Sequence, residues 1–441
     1  MASKSPRIFR DPLYNYISID RNSDEWLLEL LDTPELQRLR RIHQLGVTNY
    51  TFPGADHSRL SHTLGVVHLT QQALEHLENI YDSSKVRAAR EAILAAAMIH
   101  DVGHGPFSHL SEPWLGGDHE AWSKKIVLNE GGNVHRVLKK FDKYLPIKVA
   151  ELIDKENNEH PAWQKALLSS QLDMDRMDYL RRDSLFTGAG YGHFDYYRIL
   201  NSFEIKDDDL VWPEKSKLAI EEYIFSRFYM YQNVYLHKTT RGFGAMLAAM
   251  CKRAKLIEAD GGNADYTPAL SDFWGAGGGA TVEQYCRVEE FTILQQIQQW
   301  EAHADKSLSD LARRFMNRKR YAAIDPPAHD EGLGDPYARW EAALHEDLKK
   351  QGRNIETECL KDEVGAKYQQ PYFPEKEGDE QGARNAIRIV GAHGGGPTEI
   401  SALLDRLKPL TGRAPFHRVR YYVPAEMREA VEKIKAVWKP A

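Results

Sequence analysis

The feature that most constrains this chain is an imidazole beside a carboxylate, His100-Asp101, at the end of an apolar run. The run AILAAAMI directly precedes the pair, and its pattern predicts a mostly buried helix that continues to Gly105-Pro106. Burying two such polar groups costs on the order of several kcal/mol unless something pairs with them. That partner is either a metal ion or a hydrogen bond within the core, and for a bare His-Asp dipeptide the core pair is the commoner case.

The longer string HDVGHGPFSH, residues 100–109, favours the metal. It adds His104, one predicted helical turn beyond His100, and His109. A structural core rarely needs four titratable groups in ten residues, whereas a hydrolytic site uses imidazoles to pass protons. Mixed imidazole and carboxylate ligation suits Mn, Fe, Co, Ni or Zn. We predict that His62 on an earlier helix and Asp175 on a later one supply the remaining ligands.

Composition limits the class of protein. The 441 residues are 42% apolar, and 58 Lys plus Arg against 64 Asp plus Glu give a net charge of −6. This balance argues against a surface wrapped broadly around nucleic acid, although a local basic pocket or a single-stranded ligand stays open. Three widely spaced cysteines, no apolar leader at the N-terminus and no run of membrane-spanning length predict a cytoplasmic protein that does not cross a membrane.

The predicted fold class is mainly α. Helical patterns follow one another from Asp24 to about Glu258, and the Gly-rich stretch 259–281 reads as a loop or lid. We place a helical core at 1–325. Residues 326–441 mix charged helices with two β-like runs, which predicts a small α+β appendage of undetermined role.

Five strings in the first 240 residues resemble the HD superfamily, and in particular its deoxynucleoside triphosphate triphosphohydrolase branch, which includes the SAM- and HD-domain enzymes. They occur in the family's order: DTPELQRLRRIHQLG (32–46), FPGADHSRLSHTLGV (52–66), IHDVGHGPFSH (99–109), DMDRMDYLRRD (173–183) and RFYMYQNVYLHK (227–238). The resemblance implies an HD-domain helical bundle. LARRFMNRKRY (311–321) is the clearest match beyond them.

The resemblance also implies site residues. One divalent metal would be held by His62, His100, Asp101 and Asp175. His119 would be the general acid or base, with His104 and Asp101 also catalytic. The residues implied in substrate binding are Gln44, Leu45, Arg59, His104, His109, Arg176, Tyr179, Asp183, Arg227, Tyr235, His237 and Lys238. For His119, Arg59 and Tyr235 the alternatives are a solvated residue, a surface ion pair and core packing.

Within that set, Gln44 and Leu45 correspond to positions that flank the deoxyribose, which implies a preference for deoxynucleotides. Tyr179 and Asp183 share a helical face, where the family contacts the sugar 3′-hydroxyl. The base preference among dNTPs is not determined by these motifs.

Regulation by nucleotides is implied by a second set of matching positions, Arg7, Asp32, Gln37, Arg40 and Arg318. The family stretch DPIHGH is here DPLYNY (11–16), which removes its histidines and leaves nucleotide activation open. The segment from Asp32 to Arg40 has an equal alternative as a helix cap and solvated face.

The resemblance therefore implies hydrolysis of dNTPs to a deoxynucleoside and inorganic triphosphate, with Mg²⁺ accompanying the substrate phosphates. It also implies a homo-oligomer, either a dimer, a tetramer or a hexamer. Two alternatives are an HD-type nucleotidase or nuclease acting on other phosphate esters, and a nucleotide-sensing subunit of a defence complex. The set of four metal ligands argues against a pure sensor.

Overall fold

The computed structural model describes residues 4–81, 84–157, 159–327, 337–364, 372–374, 386–391, 396–411 and 419–437. Its fold is mainly helical with a few small sheets, which confirms the predicted class. Among the described residues, no helix combines the length and apolar character needed to cross a bilayer.

The first half of the chain forms an N-terminal hairpin followed by a helical bundle. The hairpin pairs β1 (Arg7–Asp11) with β2 (Asn15–Ile19) in antiparallel register, and the sequence patterns did not predict it. The helices are α1 (Glu25–Leu31), α2 (Pro34–Gln37), α3 (Arg59–Ile80), α4 (Ser84–Ile99), α5 (Glu112–Leu115), α6 (His119–Leu128), α7 (Asn133–Phe141), α8 (Leu145–Ile153), α9 (Ala162–Leu168), α10 (Met174–Thr187) and α11 (Tyr196–Leu200). Apart from α5, whose Trp114 and Leu115 belong to a second core, these helices bury apolar residues in one continuous core.

Capping residues fix where the helices that carry the site begin. The Ser58 hydroxyl accepts from a backbone N–H in the first turn of α3, Asp173 does the same for α10, and Asp118 does so for α6. A side-chain acceptor at this position satisfies a backbone donor that the helix leaves free. Consequently His62, Asp175 and His119 lie within the first turn or so of their helices.

The helix that carries the His-Asp pair is shorter than predicted. Helix α4 ends at Ile99, so the pair and the residues up to Phe107 lie in turns rather than in a helix. Gly103 shows why the chain turns here. A Cβ on Gly103 would lie 2.1 Å from the His119 carbonyl oxygen and 2.3 Å from the Ser123 nitrogen, so helix α6 packs directly onto the backbone after the pair.

The second half of the helical core is interrupted by a short hairpin of β3 (Glu204–Lys206) and β4 (Asp209–Pro213), which the sequence reading missed. The helices that follow are α12 (Lys217–Met230), α13 (Lys238–Ala259), α14 (Pro268–Gly275), α15 (Val282–Cys286), α16 (Glu290–Trp300) and α17 (Lys306–Met316). A π-helical turn at Tyr231–Tyr235 joins α12 to the chain before α13.

The segment 259–281 is a packed helical connection, and the prediction of a lid-like loop is corrected. It contains α14, whose Leu270 and Phe273 are buried in a second apolar core. Trp300 Nε1 also donates to the Ala264 carbonyl (2.7 Å). The glycines and aspartate suggested a loop, but the apolar residues between them are buried on α13 and α16.

The C-terminal part mixes helices and strands, as predicted. Its elements are β5 (Tyr321–Ile324), α18 (Ala338–Lys350), α19 (Ile355–Glu358), β6 (Leu360–Glu363), β7 (Arg388–Val390), β8 (Thr398–Glu399), α20 (Ile400–Leu403), α21 (Lys408–Thr411), β9 (Val419–Pro424) and α22 (Arg428–Val437). One sheet has the order β5-β9-β6 and the other β3-β4-β7-β8. Because β4 and β5 precede residue 326, both sheets cross the proposed boundary, and the division at 325 stays a prediction.

Candidate metal centre and substrate site

Three elements bring the four predicted metal ligands together. His62 Nε2 lies 3.0 Å from Asp175 Oδ1, and His100 Nε2 lies 3.7 Å from the same oxygen. The two oxygens of Asp101 complete the group, with Oδ1 3.4 Å from His100 Nε2 and Oδ2 3.7 Å from His62 Nε2. His62, His100 and Asp175 therefore offer ligand atoms that all lie within 4.8 Å of one another, and Asp101 approaches both imidazoles from the turn after α4.

The hydrogen bonds of the two imidazoles fit a metal. The Nδ1 atom of His62 donates to Asp178 Oδ2 (2.8 Å), and that of His100 donates to the Ala97 carbonyl (2.8 Å). With Nδ1 carrying the hydrogen, each Nε2 presents a lone pair to the cluster. Both Nε2 atoms are buried without a hydrogen-bond partner. Such a donor set suits a first-row divalent cation, and the residues fit the group that the sequence predicted.

The charges of the cluster also favour a cation. Burial alone would lower the pKa of His62, but Asp175 and Asp178 raise it to about 10. Burial would raise the pKa of Asp101, but the Arg59 guanidinium lowers it well below its usual range. Without a metal, the buried carboxylates thus draw a proton onto His62, and a divalent cation would take the place of that proton.

Arg59, one turn before His62 on α3, is buried rather than part of a surface ion pair. It is 3% exposed. Its Nη1 donates to Asp101 Oδ2, and its Nε donates to the Ser108 hydroxyl (3.0 Å). The guanidinium therefore borders the metal cluster, where it can reach a phosphate oxygen.

Two further predicted arginines lie on the side of Asp175. Arg176 Nη1 donates to Asp173 Oδ2, and its Nε is buried without a hydrogen-bond partner. Arg227 on α12 is 6% exposed, with its guanidinium carbon 5.6 Å from the centre of the Tyr231 ring. Arg227 is close enough to Arg176 for the two charges to interact, so both guanidiniums add positive charge near the site.

A second cluster of imidazoles adjoins the metal ligands. His104 Nε2 lies 3.3 Å from Asp101 Oδ1, and its ring stacks on that of His119 with centroids 3.8 Å apart. Glu112 Oε1 accepts from both His109 Nδ1 (2.9 Å) and His119 Nδ1 (2.7 Å). One carboxylate thus fixes two rings beside His104, and imidazoles at such a place can move protons or bind phosphate.

The environment sets the charges in this second cluster. Burial, followed by the neighbouring Arg59 and His119, lowers the pKa of His104 well below its usual value. Burial opposes ionisation of Glu112, but hydrogen bonds from His109 and His119 lower its pKa to about 2. A neutral imidazole therefore lies close to an ionised carboxylate. Neighbouring groups can take separate acid and base roles when their environments move their pKa values apart.

The predicted sugar-binding residues form a third group. Asp183 accepts from His57 Nε2 (2.7 Å) through one oxygen and from the Tyr235 hydroxyl (2.8 Å) through the other. The Tyr179 ring lies between this group and the metal ligands, 6.2 Å from the centroid of Tyr235 and 6.5 Å from that of His62. Tyr235 is therefore part of a polar network as well as of the packing.

Gln44 and Leu45 lie close to the start of α3, where Arg59 Nη2 donates to the Gln44 carbonyl (3.5 Å). The Gln44 backbone carbonyl accepts from the Ser108 hydroxyl (3.2 Å), and its side-chain Oε1 is buried without a hydrogen-bond partner. Leu45 packs against the main core. That these two residues flank the deoxyribose stays a prediction, and so does the deoxynucleotide preference.

Two predicted pocket residues have their recorded contacts elsewhere. The Nδ1 atom of His237 accepts from the Thr239 backbone N–H at the start of α13 (3.2 Å). Lys238 lines a cavity of about 250 Å³ together with Arg320 and Arg428 of the C-terminal part. Lys238 thus lies beside the C-terminal sheet, and the ring of His237 contacts that of Phe52, with centroids 5.6 Å apart.

The predicted regulatory residues do not form one described cluster. Gln37 accepts from Arg40 Nε (2.7 Å), and Asp32 is the C-cap of α1 shortly before them in the chain. Arg7 belongs to β1, and Arg318 Nε donates to a backbone carbonyl (2.8 Å). Nucleotide regulation stays a prediction.

Sequence reasoning missed three residues of the site: Glu112, His57 and Asp178. Each lies within three residues of a predicted one, and each is a hydrogen-bond partner of a predicted side chain. Proximity to the motif was the available signal. Which neighbour turns inward, however, depends on packing between α3, α6 and α10.

Comparison with known proteins defines the class. The HD domain family matches residues 59–183, which contain all four metal ligands, and the HD associated region matches residues 194–272. The chain belongs to the HD-domain phosphohydrolase family, whose domains bind a divalent metal.

Individual relatives agree with this. The uncharacterized protein YwfO of Bacillus subtilis is 39% identical over 330 residues, which cover 74% of this chain and 73% of YwfO. The solved structure of a phosphohydrolase from Bacteroides thetaiotaomicron has a TM-score of 0.77 at 27% identity and covers 95% of this chain and 99% of that one. The deoxynucleoside triphosphate triphosphohydrolase SAMHD1 homolog of Dictyostelium discoideum is 27% identical over 265 residues, 56% of this chain and 49% of that protein.

Proposed function

We propose that this phosphohydrolase cleaves deoxynucleoside triphosphates to a deoxynucleoside and inorganic triphosphate. The observation that carries the proposal is the order of the three side-chain groups. The cluster of His104, His109 and His119 adjoins one side of the metal ligands through the contact between His104 and Asp101. The pair of Asp183 and Tyr235 lies on another side, beyond Tyr179. A nucleotide with its phosphates at the metal and its sugar near Asp183 would contact all three.

The chain's own residues support a hydrolytic step at the α-phosphate. A bound divalent metal would supply Lewis-acid polarisation of a phosphoryl oxygen. Arg59 and Arg176 would bind phosphate oxygens and hold the α-phosphorus in line with an attacking water. The water oxygen forms a bond to phosphorus and the bond to the sugar O5′ breaks. His119 donates a proton to O5′, and the proton that the water loses restores His119.

A triphosphate tail fits the charge of the site better than a monophosphate would. Arg59 and Arg227 are buried, the Arg176 side chain is 25% exposed, and all three guanidiniums lie near the metal ligands. Arg59 pairs with Asp101 and Arg176 with Asp173, and a triphosphate would bring more phosphate oxygens to these guanidiniums than a monophosphate would. Mg²⁺ would accompany the triphosphate, since it binds phosphate oxygens with several waters retained.

A resident divalent transition metal is a prediction that rests on the donor set and on the resemblance to the dNTP triphosphohydrolases, which leaves the base preference, the nucleotide activator and the number of subunits open. Mn, Fe, Co, Ni and Zn all accept two imidazoles and two carboxylates, so availability as well as geometry decides among them. A homo-oligomer and a cytoplasmic location are likewise expected.

Product analysis tests the proposal. The full chain is incubated with each of the four dNTPs, Mn²⁺ and Mg²⁺, with and without GTP or dATP as activator, and the digest is separated by anion exchange. We expect tripolyphosphate and a deoxynucleoside in equal amounts. Release of orthophosphate or pyrophosphate from the same dNTPs would instead support a nucleotidase, and no product under any of these conditions would support a sensor.

A further inference from the structure

A fully buried carboxylate, Asp178, lies behind the metal ligand His62. Each of its oxygens accepts two hydrogen bonds. Oδ2 accepts from His62 Nδ1 (2.8 Å) and Arg182 Nε (2.8 Å), and Oδ1 accepts from Arg182 Nη2 (3.0 Å) and the Tyr14 hydroxyl (2.9 Å). Neither Asp178 nor Tyr14 was predicted as part of the site.

Helix α3 makes room for this carboxylate by carrying a glycine three residues after His62. A Cβ on Gly65 would lie 1.9 Å from Asp178 Oδ1 and 2.6 Å from Arg182 Nη2. A glycine inside a 22-residue helix is less favourable than an alanine. The close approach of α3 and α10 at this point therefore depends on the missing side chain.

The N-terminal hairpin closes the network from the opposite side. Asp11, at the end of β1, accepts from the backbone N–H groups of Leu13 (2.9 Å) and Tyr14 (3.0 Å) through one oxygen. Its other oxygen accepts from Arg182 Nη1 (2.8 Å). Asp11 thus fixes both the turn that carries Tyr14 and the arginine that pairs with Asp178.

We propose that Tyr14 and Asp178 are positioning residues that hold His62 with its Nε2 directed at the metal, so that the hairpin is part of the metal centre. The proposal rests on the metal site of the proposed function. Asp178 keeps the hydrogen of His62 on Nδ1, and Tyr14 and Arg182 fix the orientation of the carboxylate. A carboxylate behind a ligating imidazole fixes the tautomer and raises the basicity of the ligand.

A merely structural role would have a different consequence. If the network only neutralised the buried Arg182, removing the Tyr14 hydroxyl would lower thermal stability and leave metal affinity unchanged. A positioning role changes the affinity for the metal, because the free imidazole would populate other orientations and the other tautomer.

The test is a Co²⁺ titration of the full-length protein after a chelator has removed its metal. Visible absorption measures the bound ion, and circular dichroism verifies the fold. Tyr14→Phe deletes one hydrogen bond to Asp178. We expect its Kd for Co²⁺ to increase about tenfold, the lower end of the effect of such partners on metal sites. The control is Tyr16→Phe in the same hairpin, since Tyr16 is 51% exposed. It should bind Co²⁺ as the wild type does.

An unchanged Kd in Tyr14→Phe, or an equal loss in Tyr14→Phe and Tyr16→Phe, would overturn the inference. If Tyr14→Phe fails to fold, Asp178→Asn is measured instead, with an expected loss approaching a hundredfold; wild-type affinity in that variant also overturns it. Wild-type protein that binds Co²⁺ but hydrolyses no dNTP refutes the proposed substrate and leaves this inference standing. Wild-type protein that binds no Co²⁺ refutes the metal centre and with it the inference.

Discussion

At the scale of single residues, the environment rather than the residue type separates the roles of the site's imidazoles. His62 and His100 each donate through Nδ1 to an oxygen and present Nε2 to the metal cluster. The Nδ1 atoms of His109 and His119 share the carboxylate of Glu112 instead. We therefore expect His62 and His100 to serve as metal ligands and His119 to carry a proton, according to what lies behind each ring.

Glu112 provides a prediction at this scale. Glu112→Gln keeps the shape and an acceptor oxygen but removes the charge that stabilises a protonated His119. We expect kcat for dNTP hydrolysis to decrease on the order of a hundredfold with little change in KM, because the lost contribution belongs to proton transfer. Steady-state kinetics measure this, and mass spectrometry of bound metal should find the wild-type content.

The matched control for this variant is Glu130→Gln, which neutralises an exposed glutamate after α6. It should retain the wild-type kcat. A wild-type kcat in Glu112→Gln itself would show that His119 needs no carboxylate behind it, and would remove Glu112 from the site.

At the scale of elements, the site depends on how closely α6 approaches the turn after α4. Gly103 permits that approach, because the position of its absent Cβ is filled by the backbone of α6. The Gly103 N–H also donates to the Ser123 hydroxyl (2.9 Å), and its carbonyl accepts from the Tyr285 hydroxyl (2.6 Å). The turn with His100 and the helix with His119 are thus held as one unit.

Gly103→Ala therefore provides a prediction for these elements. We expect a loss of about 1–3 kcal/mol in the free energy of unfolding, the usual cost of overpacking, and a lower kcat, since His119 must move away from His104. Chemical denaturation and steady-state kinetics measure the two effects.

The control for the glycine variant is Gly275→Ala at the end of α14, where an added Cβ would meet nothing within 4 Å. Its stability and kcat should match the wild type to within about 1 kcal/mol. Equal effects of the two alanines would mean that the approach of α6 does not limit the site.

At the scale of the whole molecule, the metal should link distant segments of the N-terminal helical bundle. Its ligands come from α3, the turn after α4 and α10, so a bound ion joins segments more than 100 residues apart in the chain. Anything that binds the native state alone raises its stability by mass action.

Metal removal tests this link. Adding Mn²⁺ to chelated protein at a hundred times its Kd should stabilise the fold by about 2.7 kcal/mol, seen as an increase in Tm. The double variant His100→Ala with Asp101→Ala should remain helical by circular dichroism, bind no metal, hydrolyse nothing and show no increase. An equal increase in Tm in the double variant would place the metal elsewhere.

The same binding should depend on pH. Since burial is outweighed by Asp175 and Asp178, the pKa of His62 in the metal-free protein is raised to about 10. The metal must then displace a proton, and its affinity should increase about tenfold per pH unit near neutrality. In the metal-free protein the raised pKa stabilises the fold fully below about pH 6.5, and this contribution is lost as the pH rises through about 10.

The sequence by itself determined the helical class and the order of the motifs, and it singled out the candidate metal ligands. These follow from short-range patterns: an apolar period, a cap before a helix, and a polar pair that an apolar run would not contain without a partner. His100-Asp101 within HDVGHGPFSH is such a pattern, and it can be recognised without knowing what lies opposite.

Only the tertiary structure decided which neighbours complete the site. Tyr14 lies 164 residues from Asp178 in the chain, and nothing in the local sequence of either predicts that they meet. Likewise, the Gly-rich segment 259–281 became a packed helical connection because its apolar residues are buried on distant helices. Packing between distant segments decides which residues meet, because the free energy of burial depends on the facing surface as well as on the segment itself.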